Sequence, residues 1–221
     1  MENERVIEMN KKEGPDSIVI RQYKSEDEAQ WVRSRLLAFL DSSYFDDIRK
    51  TKEIYEHPSL CLVAEEKGQI IGFMDVEYEG KKGDVCYLDG ELGAVIWHLG
   101  VLPEYRRQGI AAKLWAAARE AISSYGIERV EVWTQDDAAS NGWYESQGFL
   151  FKEAYLNAFL RGTTEDDTVK KYLQPDHLGD IYGIRCFNFE APMERKDELS
   201  KICYRLHEVR LYEYKFYPQP Q

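Results

Sequence analysis

One stretch decides the fold of this chain: Leu99-Gly100-Val101-Leu102-Pro103-Glu104-Tyr105-Arg106-Arg107-Gln108-Gly109-Ile110-Ala111. The apolar run 94–101 predicts a buried strand, which Pro103 ends because proline has no N–H for a sheet ladder. The spacing of apolar residues over 111–125 predicts a helix. A strand, a short basic loop and a helix start together favour phosphate binding, because the first amides of a helix lack intrahelical partners and its dipole attracts anions.

Individual residues of this loop support the phosphate interpretation. Gly109 lets the backbone approach a ligand without an intervening Cβ, while Arg106 and Arg107 supply charge for phosphate oxygens. Two common phosphate motifs fit poorly, because the Gly-Lys-Ser/Thr ending of the P-loop is absent and only one of the three dinucleotide-fingerprint glycines is in place. The alternative interpretation is a capped helix start whose basic residues face water.

Two motifs carry a resemblance to a known family. Val-x-Pro-x-Tyr followed by Arg-x-x-Gly-x-Ala, at residues 101–111, resembles the pyrophosphate loop of the Gcn5-related N-acetyltransferases, the GNAT superfamily. Residues 139–149, Ala-Ser-Asn-Gly-Trp-Tyr-Glu-Ser-Gln-Gly-Phe, resemble that family's helix with an aromatic-tyrosine pair, closed by Gly-Phe. Gly148 suits the left-handed position that follows a helix. The resemblance covers about residues 17–156.

The resemblance implies an α/β fold, a GNAT-like mixed central sheet flanked by helices, with a C-terminal αβ extension. Patterning predicts strands at 17–23, 60–66, 69–78, 85–88, 92–101, 128–134, 149–156, 182–190 and 204–216. It predicts a first helix with its N-cap at Ser25 and an apolar side formed by Trp31, Leu36, Leu37 and Leu40. Further helices are predicted at 45–56, 109–124, 138–146 and about 194–202, and a helical turn at 168–173. A hairpin turn is predicted at Lys67-Gly68, and the strand at 128–134 is predicted to run parallel to the one before it. The expected division is a flexible leader at 1–16, an acetyltransferase core at 17–156, and an extension at 157–221 that completes or decorates the core.

Composition narrows the classes of partner. The 221 residues carry a formal net charge of -11, which argues against general binding to nucleic acid or anionic membranes. Such a charge is compatible with a cationic amine or a basic peptide, or it serves solubility alone. The four cysteines form no Cys-x-x-Cys pair and the histidines have no metal-ligand spacing, so no metal is expected. With no membrane-length apolar run and a charged N-terminus, a cytoplasmic location is expected.

The resemblance implies specific roles around acetyl-CoA. Leu99, Gly100 and Val101 would bind the pantetheine arm through their backbone, and the N–H of Gly100 or Val101 would stabilise the oxyanion. The pyrophosphate would lie against Arg106, Arg107, Gln108, Gly109, Ile110 and Ala111. Tyr144 would protonate the leaving thiolate, since the two groups have similar basicity, although a buried core tyrosine is the alternative. Asn141 is a further candidate contact with the coenzyme.

The chain departs from the family pattern at two positions. An asparagine that the family often places seven residues before the tyrosine is Asp137 here, and a strand glutamate found in some relatives is Val95. His98 is therefore the candidate general base, because an imidazole exchanges its proton near neutral pH. A structural histidine is the alternative for this position. Asp89 and Glu91 acting through water, or no dedicated base at all, also remain open.

The sequence thus predicts an N-acetyltransferase that moves acetyl from acetyl-CoA to a primary amine by direct attack in a ternary complex. The acceptor is expected to be an amine-bearing small molecule or a peptide, and a homodimer through residues 157–221 is left open. The alternative is a non-catalytic, acyl-CoA-binding GNAT-fold module with a regulatory or interaction role.

Overall fold

The computed structural model describes residues 18–161 and 186–216. Its helices and strands are β1 Val19–Gln22, α1 Glu28–Phe39, β2 Ser59–Glu66, β3 Gln69–Tyr78, β4 Gly93–Val101, α2 Ile110–Ser123, β5 Arg129–Gln135, α3 Ala138–Ser146, β6 Leu150–Arg161, β7 Cys186–Ala191, α4 Lys196–Leu199 and β8 Arg205–Lys215. Single 3₁₀ turns lie at Ser25–Asp27, Pro103–Tyr105 and Met193–Arg195. The predicted leader 1–16, the turn at 168–173 and the first residues of the strand predicted at 182–190 fall outside the described residues.

The described strands form one sheet in the order β1-β2-β3-β4-β5-β8-β6-β7. β4 and β5 are parallel because α2 crosses over between them, and every other neighbouring pair is antiparallel. The C-terminal strand β8 lies between β5 and β6, so it completes the sheet, while β7 extends it at the edge. The predicted mixed α/β class, with helices flanking a central sheet, is confirmed.

The two faces of the sheet are covered by different helices. On one face α2 buries Leu114, Trp115 and Ile122 among the strand side chains. On the other face Trp31 of α1 packs against Phe73 of β3. Each large apolar side chain that is fully buried in this way contributes roughly 1.5–3 kcal/mol relative to an exposed position. This packing on both faces fixes the ends of β4 and β5, where the candidate site lies.

The start of the first helix differs from the prediction. Ser25 begins a 3₁₀ turn instead of capping the helix, and α1 begins at Glu28. The carboxylate of Asp27 accepts the backbone N–H of Lys24 at 2.8 Å and two hydrogen bonds from Arg21 at 2.6 and 2.9 Å. The aspartate therefore fastens the helix start to β1, a role that the serine–glutamate spacing does not reveal.

The predicted apolar side of α1 is also wrong. Only Trp31 is buried, whereas the three leucines are partly exposed, at 40% for Leu36, 37% for Leu37 and 53% for Leu40. Ser34 and Arg35 face inward instead. The Ser34 hydroxyl donates to the carbonyl of Ile70 at 2.7 Å, and the Arg35 guanidinium donates to the carbonyl and carboxylate of Asp47, both at 2.6 Å. Hydrogen bonding to a neighbouring strand and loop decides which side is buried.

Two other predicted elements are absent. Residues 45–56 form turns and irregular backbone in place of the predicted helix, held by the Arg35–Asp47 contacts. Residues 85–88 form no strand, because the N–H groups of Tyr87 and Leu88 donate to the carboxylate of Glu131 at 2.8 and 2.9 Å instead of to a neighbouring strand. The helix predicted about 194–202 shortens to a 3₁₀ turn and α4, and β6 continues to Arg161, past the predicted end of its strand.

The remaining boundaries agree closely with the sequence patterns. The bounds of α3 are those predicted, and α2 and β5 differ by one or two residues at each end. The hairpin between β2 and β3 turns at Lys67 and Gly68, whose φ angles of 51° and 79° are both left-handed. Two left-handed residues match the twist of the flanking strands, so the predicted turn is confirmed.

Candidate active site

A gap opens between the parallel strands β4 and β5. The two strands pair from Gly93 with Arg129 as far as Ile96 with Val132, and no pairing continues beyond. The outer edge of β4 stays paired with β3 up to Val101, so the strand itself is intact. A register shift in that β3–β4 ladder lies opposite Trp97, where the two strands part, and such bulges bend strands locally. Beyond Ile96 the edge of β4 that faces β5 therefore has no strand partner, and this is the edge that the resemblance implies for a pantetheine arm.

The loop that follows β4 presents free backbone donors. Gly109 is left-handed, with φ 77°, and is the N-cap residue of α2. The N–H groups of 108–111 have no acceptor within the described residues. Residues 106–109 are exposed, so these donors and the positive end of the α2 dipole face solvent together. The arrangement can bind an anion.

The two arginines of the loop have different surroundings. The guanidinium of Arg106 donates to the carbonyl of Ala38 at 2.8 Å and to that of Val101 at 3.2 Å, so it ties the end of α1 to the end of β4. Arg107 is exposed and has a left-handed backbone, with φ 59°. The Gln108 side chain donates to the carbonyl of Glu104 at 3.2 Å within the loop. Arg107 is therefore the arginine better placed for a phosphate.

Tyr144 lies inside the molecule on α3. It is 6% exposed and packs edge-on against Trp143 and Phe149. Burial raises the pKa of the Tyr144 phenol, and the nearby Tyr44 raises it further, so the hydroxyl keeps its proton. Gly148 closes α3 with φ 89°, which confirms the left-handed position expected there. The phenol is therefore present in its acid form, and the raised pKa makes it a weaker acid than an exposed tyrosine.

Asn141 and Asp137 together build the junction between β5 and α3. The Asn141 amide donates to the carbonyls of Gln135 and Asp137, both at 2.7 Å, and its Oδ1 accepts the hydroxyl of Tyr212 at 2.8 Å. The Asp137 carboxylate caps α3 by accepting the N–H of Ser140 at 2.7 Å. Asp137, at the position where the family often has asparagine, thus has a structural role as the cap of α3. A coenzyme contact by Asn141 stays a prediction, and both amide hydrogens already have partners.

His98 is buried on the α1 side of the sheet. Its Nε2 lies 2.5 Å from Oε2 of Glu53, and its ring packs against the rings of Trp31 and Phe39. The hydrogen bond from His98 lowers the pKa of the Glu53 carboxyl. These contacts suit the structural alternative, and the role of general base stays a prediction.

A cavity that the sequence did not reveal lies beside the gap, on the sheet face that α1 covers. Its volume is about 270 Å³. It is lined by Tyr44, Val95, Ile96, Trp97, Trp133, Gln135, Tyr155, Asn157 and Val209. The Tyr44 hydroxyl accepts the N–H of Gln135 at 2.9 Å, and so occupies a backbone donor that the parting of β4 from β5 leaves free. The cavity can hold a small group next to the gap.

A carboxylate–imidazole pair, also missed from the sequence, lies at the same end of the sheet. Nδ1 of His207 lies 2.9 Å from Oδ1 of Asp136, the residue that follows β5. Nε2 of His207 is buried and has no hydrogen-bond partner among the described residues. His207 pairs in register with Asn157, which lines the cavity. A carboxylate that holds one imidazole nitrogen leaves the other free to accept a proton. Only the topology, with β8 inserted between β5 and β6, brings these residues together.

Comparison with known proteins identifies the family. The sequence model of the acetyltransferase (GNAT) family matches residues 21–149. The chain belongs to this family of acyltransferases. It is similar to N-alpha-acetyltransferase 30 of Schizosaccharomyces pombe, with 27% identity over 124 residues that cover 56% of this chain and 77% of that protein. It is also similar to an acetyltransferase of Pectobacterium atrosepticum, with 30% identity over 116 residues, 52% of this chain and 72% of that protein.

Solved structures share the fold. An acetyltransferase from Bacillus anthracis, solved in complex with acetyl coenzyme A, superimposes with a TM-score of 0.51 at 15% identity, over 90% of this chain and 100% of that one. The resemblance carried by the two motifs is thereby confirmed as family membership. Among the described helices none is long and apolar enough to cross a membrane. The described part of the chain contains no cluster of His, Cys, Asp and Glu that could hold a metal ion.

Proposed function

We propose that this GNAT protein transfers an acetyl group from acetyl-CoA to a primary amine, which attacks directly in a ternary complex. The observation that carries the proposal is the gap between β4 and β5, because it joins the loop with free N–H groups on one side to a cavity on the other. A long coenzyme arm fits an open strand edge, and a small acceptor fits a cavity. The Bacillus anthracis protein of the same fold was solved with acetyl coenzyme A, which supports acetyl-CoA as the acetyl donor.

The chain's own groups hold the thioester. Residues 106–111 bind the pyrophosphate through backbone N–H groups and Arg107, and the free edge of 99–101 binds the pantetheine arm. The N–H of Gly100 or Val101 stabilises the oxyanion, an effect that is worth about 3 kcal/mol per donor in other acyl transfers. The Gly100 position needs glycine, because an added Cβ would lie 2.3 Å from the ring of Phe73.

Two side chains move protons in the proposed reaction. The Tyr144 hydroxyl gives its proton to the departing thiolate, since burial keeps the phenol protonated. His207 accepts the proton of the attacking amine at its free Nε2, and Asp136 stabilises the imidazolium that forms. We prefer His207 to His98 as the base, because His207 lies in register with Asn157, which lines the cavity, whereas the ring of His98 packs between Trp31 and Phe39.

In this scheme the proposed domain division assigns the coenzyme site to the core and part of the acceptor site to the C-terminal segment. The core at 17–156 carries the coenzyme-binding loop, the gap and Tyr144. The segment 157–221 contributes Asn157 and β8 with His207 to the opposite, acceptor end. We propose that the C-terminal segment completes the acceptor site in addition to the sheet.

Titration calorimetry with acetyl-CoA tests the coenzyme site. We expect micromolar binding by the wild type and a loss of at least about 100-fold in Gly109→Glu, which puts a carboxylate where the phosphates would lie. Gly126→Glu is a matched control, because Gly126 is also left-handed, with φ 79°, and an added Cβ at either glycine meets nothing within 4 Å. Gly126 follows the C-terminal end of α2, so its variant carries the same strain and charge away from the site. No binding by the wild type would overturn the proposal.

An acetylation assay on a panel of primary amines separates the enzyme from the non-catalytic alternative. Turnover of acetyl-CoA that produces acetylated amine supports the transferase. Tight coenzyme binding without turnover on any amine would favour a module that binds acyl-CoA for regulation or assembly.

A further inference from the structure

The cavity beside the gap contains two buried acceptors with no donor. Gln135 and Asn157 line it, and their side-chain oxygens Oε1 and Oδ1 are shielded from solvent and have no hydrogen-bond partner among the described residues. Gln135 as a whole is only 7% exposed. Buried polar atoms in native proteins nearly always have a partner, so this pair indicates a ligand that brings N–H or O–H donors.

The other walls of this cavity are aromatic and uncharged. Four of its nine lining residues are the aromatic Trp97, Trp133, Tyr155 and Tyr44, and no residue that lines it carries a formal charge. Aromatic rings attract an ammonium group, and neutral amide oxygens accept its hydrogens. A carboxylate in the same place would stabilise the ammonium form and hold its proton. The cavity therefore suits an amine that must lose a proton before it attacks.

A second cavity lies on the other side of Trp97 and is acidic. Its volume is about 370 Å³, and Trp97 lines both cavities. The lining of the second cavity consists of Glu53, Ile54, Tyr55, Glu56, His57, Glu77, Asp84, Val85 and Trp97, with no lysine or arginine. Of its four carboxylates, Glu53 is paired with Arg49 and His98, which leaves Glu56, Glu77 and Asp84. The Glu77 carboxylate accepts the indole N–H of Trp97 at 2.7 Å, which fixes the ring between the two cavities.

The two cavities thus offer different environments to two amines of one molecule. The inner one is neutral and adjoins the gap where the thioester would lie. The outer one holds negative charge that attracts a group remaining protonated. A flexible chain passing Trp97 would place its reacting amine inside and its second ammonium among Glu56, Glu77 and Asp84.

We propose that the acceptor is an aliphatic diamine or polyamine, held with one amine against Gln135 and Asn157 and another in the acidic cavity. This inference rests on the proposed acetyl transfer and names its substrate class. A monoamine fills only the inner cavity and lacks the charge contact. A carboxylate-bearing acceptor would be repelled from the outer cavity.

Steady-state kinetics with putrescine, spermidine and n-butylamine tests the proposal. We expect kcat/KM for the two polyamines to exceed that for n-butylamine by at least tenfold. In the double variant Glu56→Gln/Asp84→Asn this ratio should fall severalfold, because both side chains are exposed and act through charge. Trp97→Leu should lower kcat/KM for all three amines, since the ring lines both cavities.

The matched control is Glu120→Gln/Glu128→Gln, which changes net charge by the same amount at exposed positions that line neither cavity. In this control the ratio of kcat/KM for the polyamines to that for n-butylamine should equal the wild-type ratio, because remote surface charges are screened beyond about 8 Å at physiological salt. Equal kcat/KM for putrescine and n-butylamine in the wild type would overturn the diamine proposal while leaving acetyl transfer intact. The diamine proposal is also overturned if the local and control variants behave alike.

If no amine is acetylated, direct binding still decides the question. Spermidine and n-butylamine are titrated into the CoA-saturated wild type and both double variants by calorimetry. Tighter binding of spermidine that only the Glu56/Asp84 variant weakens supports the acceptor site although transfer has failed. Absence of spermidine binding overturns it.

Discussion

The proposed coenzyme side and the proposed acceptor side of this molecule are assembled in different ways. The coenzyme side, residues 99–111, is one continuous segment whose backbone N–H groups point outward at a helix start. The acceptor side consists of side chains from β4, β5, β6, β8 and the segment after α1, which only the folded sheet brings together. The first depends on backbone conformation and the second on burial and side-chain pairing. Substitutions on the two sides should therefore affect binding and chemistry separately.

Tyr144 is the proposed acid for the leaving thiolate, so Tyr144→Phe should have the largest effect on turnover. We expect kcat to fall about 100-fold, because the leaving thiolate loses its acid, while the Kd for acetyl-CoA changes little. Stopped-time product assays and calorimetry measure the two quantities. Tyr212→Phe is the control, since it removes a neighbouring hydroxyl that donates to Asn141 and lies outside the proton path. Wild-type kcat in Tyr144→Phe would make this residue a core aromatic only.

The pH profile of the wild type gives a second readout for the same residue. Burial raises the pKa of the Tyr144 phenol above its ordinary value, so the acid form persists as the pH rises. Because the pKa is raised, the phenol stays protonated in alkaline solution, and kcat should not fall with rising pH up to about pH 9.5. A fall in kcat well below that pH, present in the wild type and absent from Tyr144→Phe, would contradict a buried acid with a raised pKa.

The contrast between the sides explains what the sequence could predict. The left-handed Gly109 before α2 and the left-handed Gly148 after α3 depend on local backbone chemistry, and the sequence predicts both turns at these residues. Phosphate binding by the loop at 106–111 stays a prediction. The cavity and the His207–Asp136 pair depend on β8 lying between β5 and β6, which no local pattern contains. The buried side of α1 was predicted wrongly for a related reason, because Ser34 and Arg35 find hydrogen-bond partners only in the folded chain.

Two histidines, His207 and His98, each lie next to a carboxylate, and substituting them tests which one is the base. We expect His207→Gln to lower kcat/KM at pH 7 at least tenfold, and less at about pH 9, where more of the free amine has lost its proton. His98→Gln should mainly lower the melting temperature, because its ring packs against Trp31 and its Nε2 contacts Glu53. The opposite ranking of the two variants in kcat/KM would make His98 the base and assign His207 a structural role.

The smallest expected effect separates the two arginines on the coenzyme side. Arg107→Ala should raise the Kd for acetyl-CoA about fivefold, roughly 1 kcal/mol, because an exposed guanidinium contributes modestly to phosphate binding. Arg106→Ala should leave this Kd nearly unchanged but lower the melting temperature by about 2–4 °C, since its guanidinium joins the carbonyls of Ala38 and Val101. Calorimetry and thermal unfolding of both variants measure the pair. If Arg106→Ala weakened binding more than Arg107→Ala, the ordering of the loop by α1 would control the coenzyme site, and the two sides of the molecule would not be separable.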